Sequence, residues 1–265
     1  MQRQTKQNTS QDTDYSLKMK TNNEVANFFW HGNPLSLYEQ KCILSYVKHD
    51  WNVKLWTFGN VEPPNGVELC DANTFFKVED IQTFVQKKKV GCIAAFSDAF
   101  RYTMLQRTGG WWFDTDCFCL KNQREFLKLK EGRHIIVGRE SSEIIAVGVL
   151  SFIDPLLAEK SVNLLNKILE TRNRRVGWGE IGPRLITQLV NENGLQDDAL
   201  PTNYFYPLTP KQALNALDPT RLIEVEDKCS NSYVYHYWSE MLSRASVNKN
   251  ELPPVGSFLY KKFTE

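Results

Sequence analysis

Hydrophobic and polar positions along the chain follow two spacings, one typical of strands and one of helices. An apolar run from Val25 to Trp30 predicts a first strand, and Val53 to Phe58 predicts a second. Between them, Asn33-Pro34 predicts a helix start, because Asn caps helices well and Pro fits the first helical position. Apolar residues then recur at helical spacing, namely Leu35, Tyr38, Cys42, Ile43, Tyr46 and Val47. This β-α-β beginning favours a layered α/β architecture.

The same spacings predict the later elements of the chain. A helix is expected over Val90 to Arg107, with Gly109-Gly110 as its stop, and a buried strand over Trp111 to Phe113. Residues 61–87 are expected to form short helices and loops. Further strands are predicted over Ile135 to Gly138, Ile144 to Phe152, Arg221 to Val225 and Tyr233 to Trp238, and further helices begin at Asp154-Pro155 and Gly182-Pro183. With no Pro/Gly-rich linker in the chain, the pattern favours one α/β domain over residues 23–265.

The composition of the chain says more about its possible binding partners and location than about its fold. The 265 residues carry a formal net charge of +1, so the overall charge gives no reason to expect nucleic acid as a partner. Residues 1–22 form a polar segment without a signal-peptide core, which predicts a flexible tail. No stretch approaches the ~20 apolar residues of a membrane span. The sequence therefore predicts a cytoplasmic protein with buried free thiols, and leaves a peripheral contact with a membrane open.

The segment Asp114-Thr115-Asp116 is the first candidate for chemistry. In an extended chain, residues two apart point to the same side, roughly 6.5–7 Å from each other. Two carboxylates at that spacing can share a hard divalent cation, directly or through water. Apolar residues on both sides tie the acids to a core, which disfavours the alternative of a solvated surface turn.

A second candidate lies just upstream, on the helix predicted over Val90 to Arg107. Asp98 and Arg101 are three residues apart and therefore share one helix face. One interpretation is an ordinary intrahelical ion pair worth roughly 0.2–0.5 kcal/mol. The other is an acceptor and a donor placed side by side to bind sugar hydroxyls.

Together these segments resemble a known signature. Ser97-Asp98, Arg101-Tyr102 and then Gly109-Gly110-Trp111-Trp112-Phe113-Asp114-Thr115-Asp116 look like the motif of glycosyltransferase family 32. Relatives of that family include capsular and lipopolysaccharide sugar transferases, α-1,4-galactosyltransferases and, more distantly, the clostridial glucosylating toxins. The match over residues 97–116 is much more specific than Asp-x-Asp alone. It extends weakly to Asn27–Gly32 and to His236-Tyr237-Trp238.

The resemblance implies a set of site residues. It implies catalytic roles for Asp98, Arg101 and Asp116, and a metal site of Asp114, Asp116 and His236 that holds Mn²⁺ or Mg²⁺. Trp30 would stack on the nucleotide base, and Trp238 and Ser239 would donate hydrogen bonds to phosphate. The full set expected to bind the donor is Phe29, Trp30, Asp98, Arg101, Trp112, Asp114, Trp238 and Ser239.

The resemblance also implies a fold and a reaction. The expected fold is the GT-A type, a Rossmann-like mixed sheet flanked by helices with a nucleotide-sugar crevice at the strand ends. The expected reaction is retaining transfer of a hexose, from a nucleotide-sugar such as a UDP-sugar, to a hydroxyl acceptor. That acceptor would be a glycan, a lipid-linked glycan or a protein. The missing membrane anchor favours a bacterial cytoplasmic enzyme of polysaccharide or lipopolysaccharide synthesis, acting in the cytoplasm or at the inner membrane face.

Two alternatives remain open at the level of sequence. An Asp-x-Asp phosphohydrolase also places two acids after an apolar strand, but usually near its first strand, and it would leave Asp98, Arg101 and His236 unexplained. A non-catalytic, metal-dependent sugar-binding module would use the same acids together with exposed aromatic faces.

Overall fold

A seven-stranded mixed sheet runs through the molecule in the order β11-β8-β9-β6-β1-β2-β3. The computed structural model describes residues 24–265, so the predicted tail over residues 1–22 lies outside the described part. The strands of this sheet are β1 (Val25–Phe29), β2 (Asn52–Thr57), β3 (Val67–Asp71), β6 (Trp111–Phe113), β8 (Ile135–Arg139), β9 (Ile145–Phe152) and β11 (Ala199–Leu200). Strand β9 pairs antiparallel with β6 and β8, whereas the other pairs are parallel. This confirms the predicted mixed α/β architecture.

Helices and short ribbons complete the described fold. The α-helices are α1 (Leu37–Lys48), α2 (Ile93–Thr108), α3 (Gln123–Leu129), α4 (Pro155–Thr171), α5 (Pro183–Glu192), α6 (Thr202–Phe205), α7 (Leu222–Cys229), α8 (Ser239–Arg244) and α9 (Phe258–Thr264). The remaining strands are β4 (Val85–Gln86), β5 (Lys89–Val90), β7 (Cys117–Cys119), β10 (Arg175–Val176) and β12 (Val234–His236). Short 3₁₀ segments span Ala72–Thr74, Val78–Thr83, Gln196–Asp198, Pro210–Leu217 and Pro219–Arg221.

Strand β6 shows why the sheet is buried on both faces. Alternate residues of a strand point to opposite faces, so Trp112 enters one core and Trp111 and Phe113 enter the other. Helices α2, α4 and α5 cover the Trp112 face, while α1, α3 and α6 cover the opposite face. All three aromatic side chains of β6 are at most 1% exposed, which fixes the backbone that leads into Asp114.

A third core holds the ribbon formed by β7 and β12. These strands pair antiparallel, with His236 opposite Cys117. Phe118 and Tyr235 of the ribbon pack with Tyr38 on α1 and with Phe258 and Phe263 on α9. The ribbon therefore places His236 beside the segment that follows β6, although the two are more than a hundred residues apart in the chain.

The sheet order creates a crevice between neighbouring strands. β1 pairs with β2 on one side and with β6 on the other, and the three strands are parallel. The chain thus reverses its direction of winding between β1 and β6, and such switch points open a ligand crevice at the carboxyl ends of strands. β8 runs parallel to β6, since both pair antiparallel with β9, so its carboxyl end lies at the same edge.

The start of α1 corrects one local prediction. The helix begins at Leu37, with Ser36 as its cap, rather than at Asn33-Pro34. Ser36 and Glu39 form a reciprocal capping box, which satisfies two backbone N–H groups at once. A similar shift affects α2, which begins at Ile93, because Val90 belongs to the hairpin of β4 and β5.

Two further predictions of secondary structure were wrong. Arg221 to Val225 was predicted as a strand, but it enters helix α7, in which Val225 and Cys229 are buried one turn apart. Glu224 pairs with Lys228 at the four-residue spacing that supports a helix. Strand β3 was missed within residues 61–87, because its side chains are mostly exposed and it lacks the apolar run of a buried strand.

The structure tests the predicted free thiols, and its helices can be examined for membrane-spanning length. All six cysteines are free; five of them are buried and Cys70 is half-buried, so the prediction of free thiols is confirmed. Among residues 24–265, none of the helices combines the length and the apolar character needed to cross a bilayer.

Candidate active site

The predicted site residues line one open cleft at the carboxyl ends of β1, β6 and β8. The cleft has a volume of about 630 Å³. Trp30 follows β1, the two acids of Asp114-Thr115-Asp116 follow β6, and Glu140 follows β8. The structure therefore brings the three matched sequence blocks together at the crevice that the sheet order creates.

Asp114 to Cys117 form a tight turn rather than the extended segment assumed from sequence. The Cys117 N–H donates to the Asp114 carbonyl at 2.9 Å. This turn takes the chain out of the main sheet at Phe113 and into the ribbon at Cys117. Tyr237 supports it from the ribbon side, because its N–H donates to the Asp116 carbonyl and its hydroxyl to the Thr115 carbonyl, both at 3.0 Å. Two strands thus hold the turn from both ends.

The carboxylate of Asp114 is oriented through one of its two oxygens. Its Oδ1 accepts from the Trp112 indole at 2.7 Å and from Arg101 Nη2 at 3.1 Å. The other oxygen, Oδ2, lies beside Gly148, where a Cβ atom would stand only 3.1 Å away. The glycine therefore leaves space next to the oxygen that these two donors do not use.

Asp116 is held in a different way, by the ribbon and by the start of α8. Its Oδ1 lies 3.2 Å from Nε2 of His236, and its Oδ2 accepts from the Ser239 N–H at 2.8 Å. Trp238 takes a left-handed backbone conformation with φ of 54°, which turns the chain so that the Ser239 N–H faces the carboxylate. The predicted proximity of His236 to Asp116 is thus present in the structure.

The Asp116–His236 pair is electrostatically matched. Burial opposes ionisation of both groups, but their mutual attraction outweighs it. The pKa of Asp116 is therefore below its usual value and the pKa of His236 is above its usual value. The Ser239 N–H adds to the stabilisation of the carboxylate. Asp116 is consequently an anion at neutral pH, as a ligand for a hard cation must be.

Arg101 connects the two predicted carboxylate blocks. Arg101 is only 3% exposed, and its Nη1 donates to the Val147 carbonyl at 2.8 Å. Nη2 lies 3.2 Å from Asp98 Oδ1 and 3.1 Å from Asp114 Oδ1. The intrahelical ion pair with Asp98 therefore exists, but the same arginine also fixes Asp114, and this second link is what the helix spacing alone could not reveal.

Asp98 lies at the base of the cleft against the start of α5. Burial raises its pKa to about 6, with Asp114 adding to the rise and Arg101 opposing it. A Cβ atom on Gly182 would lie 2.5 Å from Asp98 Oδ2, so a larger residue here requires Asp98 or the start of α5 to shift. Tyr102 ties the same point of the chain to α2, because its hydroxyl donates to the Gly182 carbonyl at 3.2 Å.

Gly182→Ala is expected to displace Asp98 or the start of α5. Forcing a methyl group into this contact should destabilise the fold by about 1–3 kcal/mol, and urea unfolding followed by tryptophan fluorescence measures the change. Gly59→Ala is the matched control, because a Cβ atom there meets no heavy atom within 4 Å. Equal stability of the two variants would show that the Asp98 contact is not tight in solution.

The aromatic residues predicted to bind the donor divide into two groups. Phe29 and Trp112 are buried beneath the cleft; Phe29 packs on Phe100 with ring centroids 4.6 Å apart. Trp30 and Trp238 are half-buried and line the cleft. The indole N–H of Trp238 donates to the Leu208 carbonyl at 2.7 Å, whereas it was expected to face a phosphate.

The sequence did not single out three further residues that line the cleft: Glu140, Tyr206 and Lys249. Tyr206 packs against His236 with ring centroids 5.5 Å apart, and its hydroxyl accepts from the Val149 N–H at 3.2 Å. Lys249 Nζ donates to Ser239 Oγ at 2.8 Å and to Glu39 Oε1 at 2.6 Å. None of these three lies in a matched motif, so only the tertiary structure could assign them to the cleft.

The cleft carries an excess of negative charge. Carboxylates line it at Asp98, Asp114, Asp116, Glu140 and Glu240. Among the described lining residues only Arg101 and Lys249 carry fixed positive charges, and both are already paired with carboxylates. An anionic ligand such as a diphosphate would therefore be repelled unless it arrived with a cation.

Potential metal-binding atoms cluster at one end of the turn. In the part of the chain that the structure describes, Asp116, Cys117 and His236 place one ligand atom each within 4.8 Å of one another. Asp114 lies outside this group, so the predicted ligands Asp114, Asp116 and His236 are not all within 4.8 Å of one another. Cys117 is fully buried and burial raises its pKa well above the usual value, which disfavours the thiolate needed for metal binding.

Two solved structures are similar to this chain at low sequence identity. The PaToxG glycosyltransferase is similar over 91% of this chain and 85% of its own, at 13% identity and a TM-score of 0.45. The apo structure of the WbbM bifunctional glycosyltransferase is similar over 92% of this chain and 52% of its own, at 10% identity and a TM-score of 0.46. No curated protein matches the chain.

The sequence match covers one part of the cleft. The family model described as the glycosyltransferase sugar-binding region containing the DXD motif matches residues 33–132. This range includes Asp98, Arg101, Asp114 and Asp116. The match confirms the resemblance predicted from the motif, and it identifies residues 33–132 as a glycosyltransferase sugar-binding region.

Proposed function

We propose that the protein is a divalent-metal-dependent hexosyltransferase that uses a nucleotide-sugar donor, with UDP-sugars as the first candidates. The observation that carries this proposal is the acidic cleft at the strand ends, in which Asp114 and Asp116 are held by protein contacts. A nucleoside diphosphate needs positive charge as its bond to the sugar breaks, and this cleft offers little of its own.

The geometry supports one orientation of the donor. The nucleotide would lie over the end of β1, with its base on Trp30. The diphosphate would then pass Asp114 and Asp116, close to Ser239 and Lys249. The sugar would reach Asp98, whose Oδ2 can accept hydroxyl hydrogen bonds beside the start of α5. Phe29 and Trp112 would support the floor of this path rather than contact the donor, because both are buried.

The residues present fit a hard divalent cation. Asp114 Oδ2 is left unused by Trp112 and Arg101, and Asp116 is held as an anion next to His236. We propose that these two carboxylates, with His236, bind Mn²⁺ or Mg²⁺. The bound cation would supply charge neutralisation for the diphosphate leaving group. Its ligand set is carboxylate-rich, which suits magnesium or manganese.

The protein's own residues would orient the reaction. Arg101 acts as a positioning residue, since its Nη2 contacts the carboxylates of both Asp98 and Asp114. Asp98 would fix the donor sugar, so that its anomeric carbon faces the acceptor. Retention of the anomeric configuration is proposed from the family resemblance, as is a role in bacterial polysaccharide or lipopolysaccharide synthesis in the cytoplasm. The proposal includes no enzymic nucleophile.

Removal of the metal is expected to abolish the activity. Purified protein is incubated with Mn²⁺ or Mg²⁺ and with a panel of UDP- and GDP-sugars, and the release of free nucleotide is measured. EDTA should reduce release from the active donor to background, and added Mn²⁺ should restore it. The cation contributes several kcal/mol to stabilising charge in the transition state, so the loss should exceed about a hundredfold.

The same assay separates the alternatives. A phosphohydrolase would release inorganic phosphate from p-nitrophenyl phosphate, which the transferase proposal excludes. A sugar-binding module would bind a donor in calorimetry without releasing nucleotide. No release from any donor, together with no donor binding, would reject the proposed function.

A further inference from the structure

A small three-stranded sheet beside the cleft carries a local concentration of positive charge. Its strands lie in the order β10-β4-β5. Two stretches of chain form it, and residues 81–94 contain three Lys while residues 171–179 contain three Arg, with neither Asp nor Glu in either stretch. The whole chain has 32 basic and 31 acidic residues, so the excess is a property of this place, which we call the basic sheet.

Strand pairing brings the two stretches together. β4 and β5 form a hairpin whose turn is Lys87-Lys88, and β10 runs parallel to β4 with Val176 opposite Gln86. The chain therefore leaves the same end of the basic sheet twice, as Lys87-Lys88 after β4 and as Gly177-Trp178 after β10. The Gln86 side-chain amide donates to the Gly177 carbonyl at 3.2 Å, which holds these two exits next to each other.

Most of the positive charge on the basic sheet faces solvent without a carboxylate partner. Five of the six basic side chains are exposed, namely Lys87, Lys88, Lys89, Arg172 and Arg175. Within residues 24–265, Arg172 alone among the six forms an ion pair, with Glu180 at 3.0 Å. Arg174 lies over the ring of Phe84 at 5.3 Å. Positive charges grouped in this way attract an anionic surface.

Two exposed apolar side chains accompany these charges. Trp178 is 60% exposed and Val90 is 59% exposed, so folding leaves both uncovered. The turn that carries Trp178 is preformed, because Glu180 accepts from the Gly177 N–H at 2.6 Å and Gly179 supplies a left-handed backbone with φ of 67°. Trp together with Lys and Arg is the combination found on surfaces that lie in a membrane interface.

The mixture of charged and apolar side chains favours a lipid bilayer over a nucleic acid. Lys and Arg bind the phosphates of either partner. Trp178 could stack on an unpaired base, but the aliphatic side chain of Val90 has no matching group on a nucleic acid. At a bilayer, both side chains gain by burial at the boundary between headgroups and acyl chains.

The basic sheet also borders the opening of the cleft. Trp178 lines the cleft, and so do Ile93 and Ala94, which follow shortly after β5. The cleft itself is acidic and would repel anionic lipids. A bilayer held by the basic sheet would therefore lie beside the opening without entering it.

We infer that the basic sheet docks the protein on a membrane that contains anionic lipids. Its Lys and Arg side chains contact the lipid phosphates, while Trp178 and Val90 enter the headgroup region. This inference goes beyond the proposed function and concerns a different surface. Its test needs neither a donor nor a metal.

Binding is measured by co-sedimentation of the full chain with vesicles of phosphatidylcholine, alone or mixed with phosphatidylglycerol. We expect binding to the mixed vesicles only, and weaker binding as salt is added, because salt screens exposed charges. A triple variant that replaces the lysines of the hairpin by glutamine, Lys87→Gln, Lys88→Gln and Lys89→Gln, should bind about a hundredfold more weakly. Each basic residue near an anionic surface contributes roughly fivefold in affinity.

A second triple variant is the matched control, because it removes the same charge elsewhere. Lys48, Lys128 and Lys211 are exposed and belong to α1, α3 and the 3₁₀ segment Pro210–Leu217, which pack away from the basic sheet. Their replacement by glutamine should leave vesicle binding close to that of the parent. Equal losses in the two triple variants would show that only the net charge matters and would overturn the inference.

Trp178→Ala tests the apolar half of the surface. It should weaken binding to the mixed vesicles about tenfold, the effect of removing one partly buried aromatic ring. Tryptophan emission of the parent should shift to shorter wavelength on binding, and the variant should lose most of that shift. An unchanged affinity and an unchanged shift in Trp178→Ala would contradict the inference.

The same binding assay decides between partners. No binding to mixed vesicles, equal binding to both kinds of vesicle, or tighter binding to a DNA duplex or a single-stranded RNA would each overturn membrane docking. None of these results would affect the proposed function, because nucleotide release is measured without vesicles.

Discussion

Asp116→Asn is expected to reduce metal-dependent nucleotide release by on the order of a thousandfold, because a bound cation contributes several kcal/mol and each tenfold in rate corresponds to about 1.4 kcal/mol. The amide keeps the size of the carboxylate and can still accept from the Ser239 N–H. It removes the negative charge that Asp116 offers to a cation and to His236. Nucleotide release is measured at saturating donor, and Mn²⁺ affinity by calorimetry.

Glu240→Gln provides the matched control for Asp116→Asn. Glu240 lines the same cleft, but its side chain is 71% exposed and pairs with Arg244 at the surface. Its substitution should leave both Mn²⁺ affinity and nucleotide release close to those of the parent. Equal losses in the two variants would mean that the cleft acts through its total charge and that Asp116 has no specific role.

Arg101→Met is expected to destabilise the fold by about 3–5 kcal/mol, because removing one partner of a buried ionic group leaves uncompensated charges behind. Arg101 is the partner of both Asp98 and Asp114, and it also donates to the Val147 carbonyl. The methionine retains most of the buried volume but none of the charge or hydrogen bonds. Urea unfolding measures the loss, and nucleotide release should fall as well, because Asp114 loses one of its two orienting donors.

The control for Arg101→Met is another arginine in a helical ion pair. Arg244 pairs with Glu240 at 3.0 Å, but both side chains are about 70% exposed. Arg244→Met should change stability by no more than about 0.5 kcal/mol, as is usual for surface substitutions. If the two variants are equally stable, the triad of Asp98, Arg101 and Asp114 does not support the fold. The stability of Arg101→Lys should lie between that of Arg101→Met and that of Arg244→Met, because lysine keeps the positive charge but lacks the planar guanidinium.

The parts of the fold that the sequence predicted well have strong local signals. The strand over Trp111 to Phe113 and the stop at Gly109-Gly110 depend on a buried aromatic run and on a left-handed glycine, and both are present. The cap Asp154 with Pro155 likewise starts α4 as predicted. These features follow from neighbouring residues, so no knowledge of the rest of the molecule is needed.

The predictions that failed depended on competing local signals. At the start of α1, the pair Ser36 and Glu39 forms a complete capping box and replaces Asn33 as the helix start. Over Arg221 to Val225, apolar residues suggest a strand, but the ion pair of Glu224 and Lys228 stabilises a helix. In each case, several side chains acting together outweighed the preference of single residues.

The sequence by itself determined the motif blocks around Asp98, Arg101 and Asp114-Thr115-Asp116, because their spacing is local and their residue types are specific. It also suggested His236, through resemblance. Only the tertiary structure decided that Arg101 joins Asp98 to Asp114 and that the two acids of the motif lie on a turn. It alone brought Glu140, Tyr206 and Lys249 to the same cleft. The physical reason is that these contacts arise from the pairing order of the strands and from side chains far apart in the chain, and such pairings leave no periodic trace in the sequence.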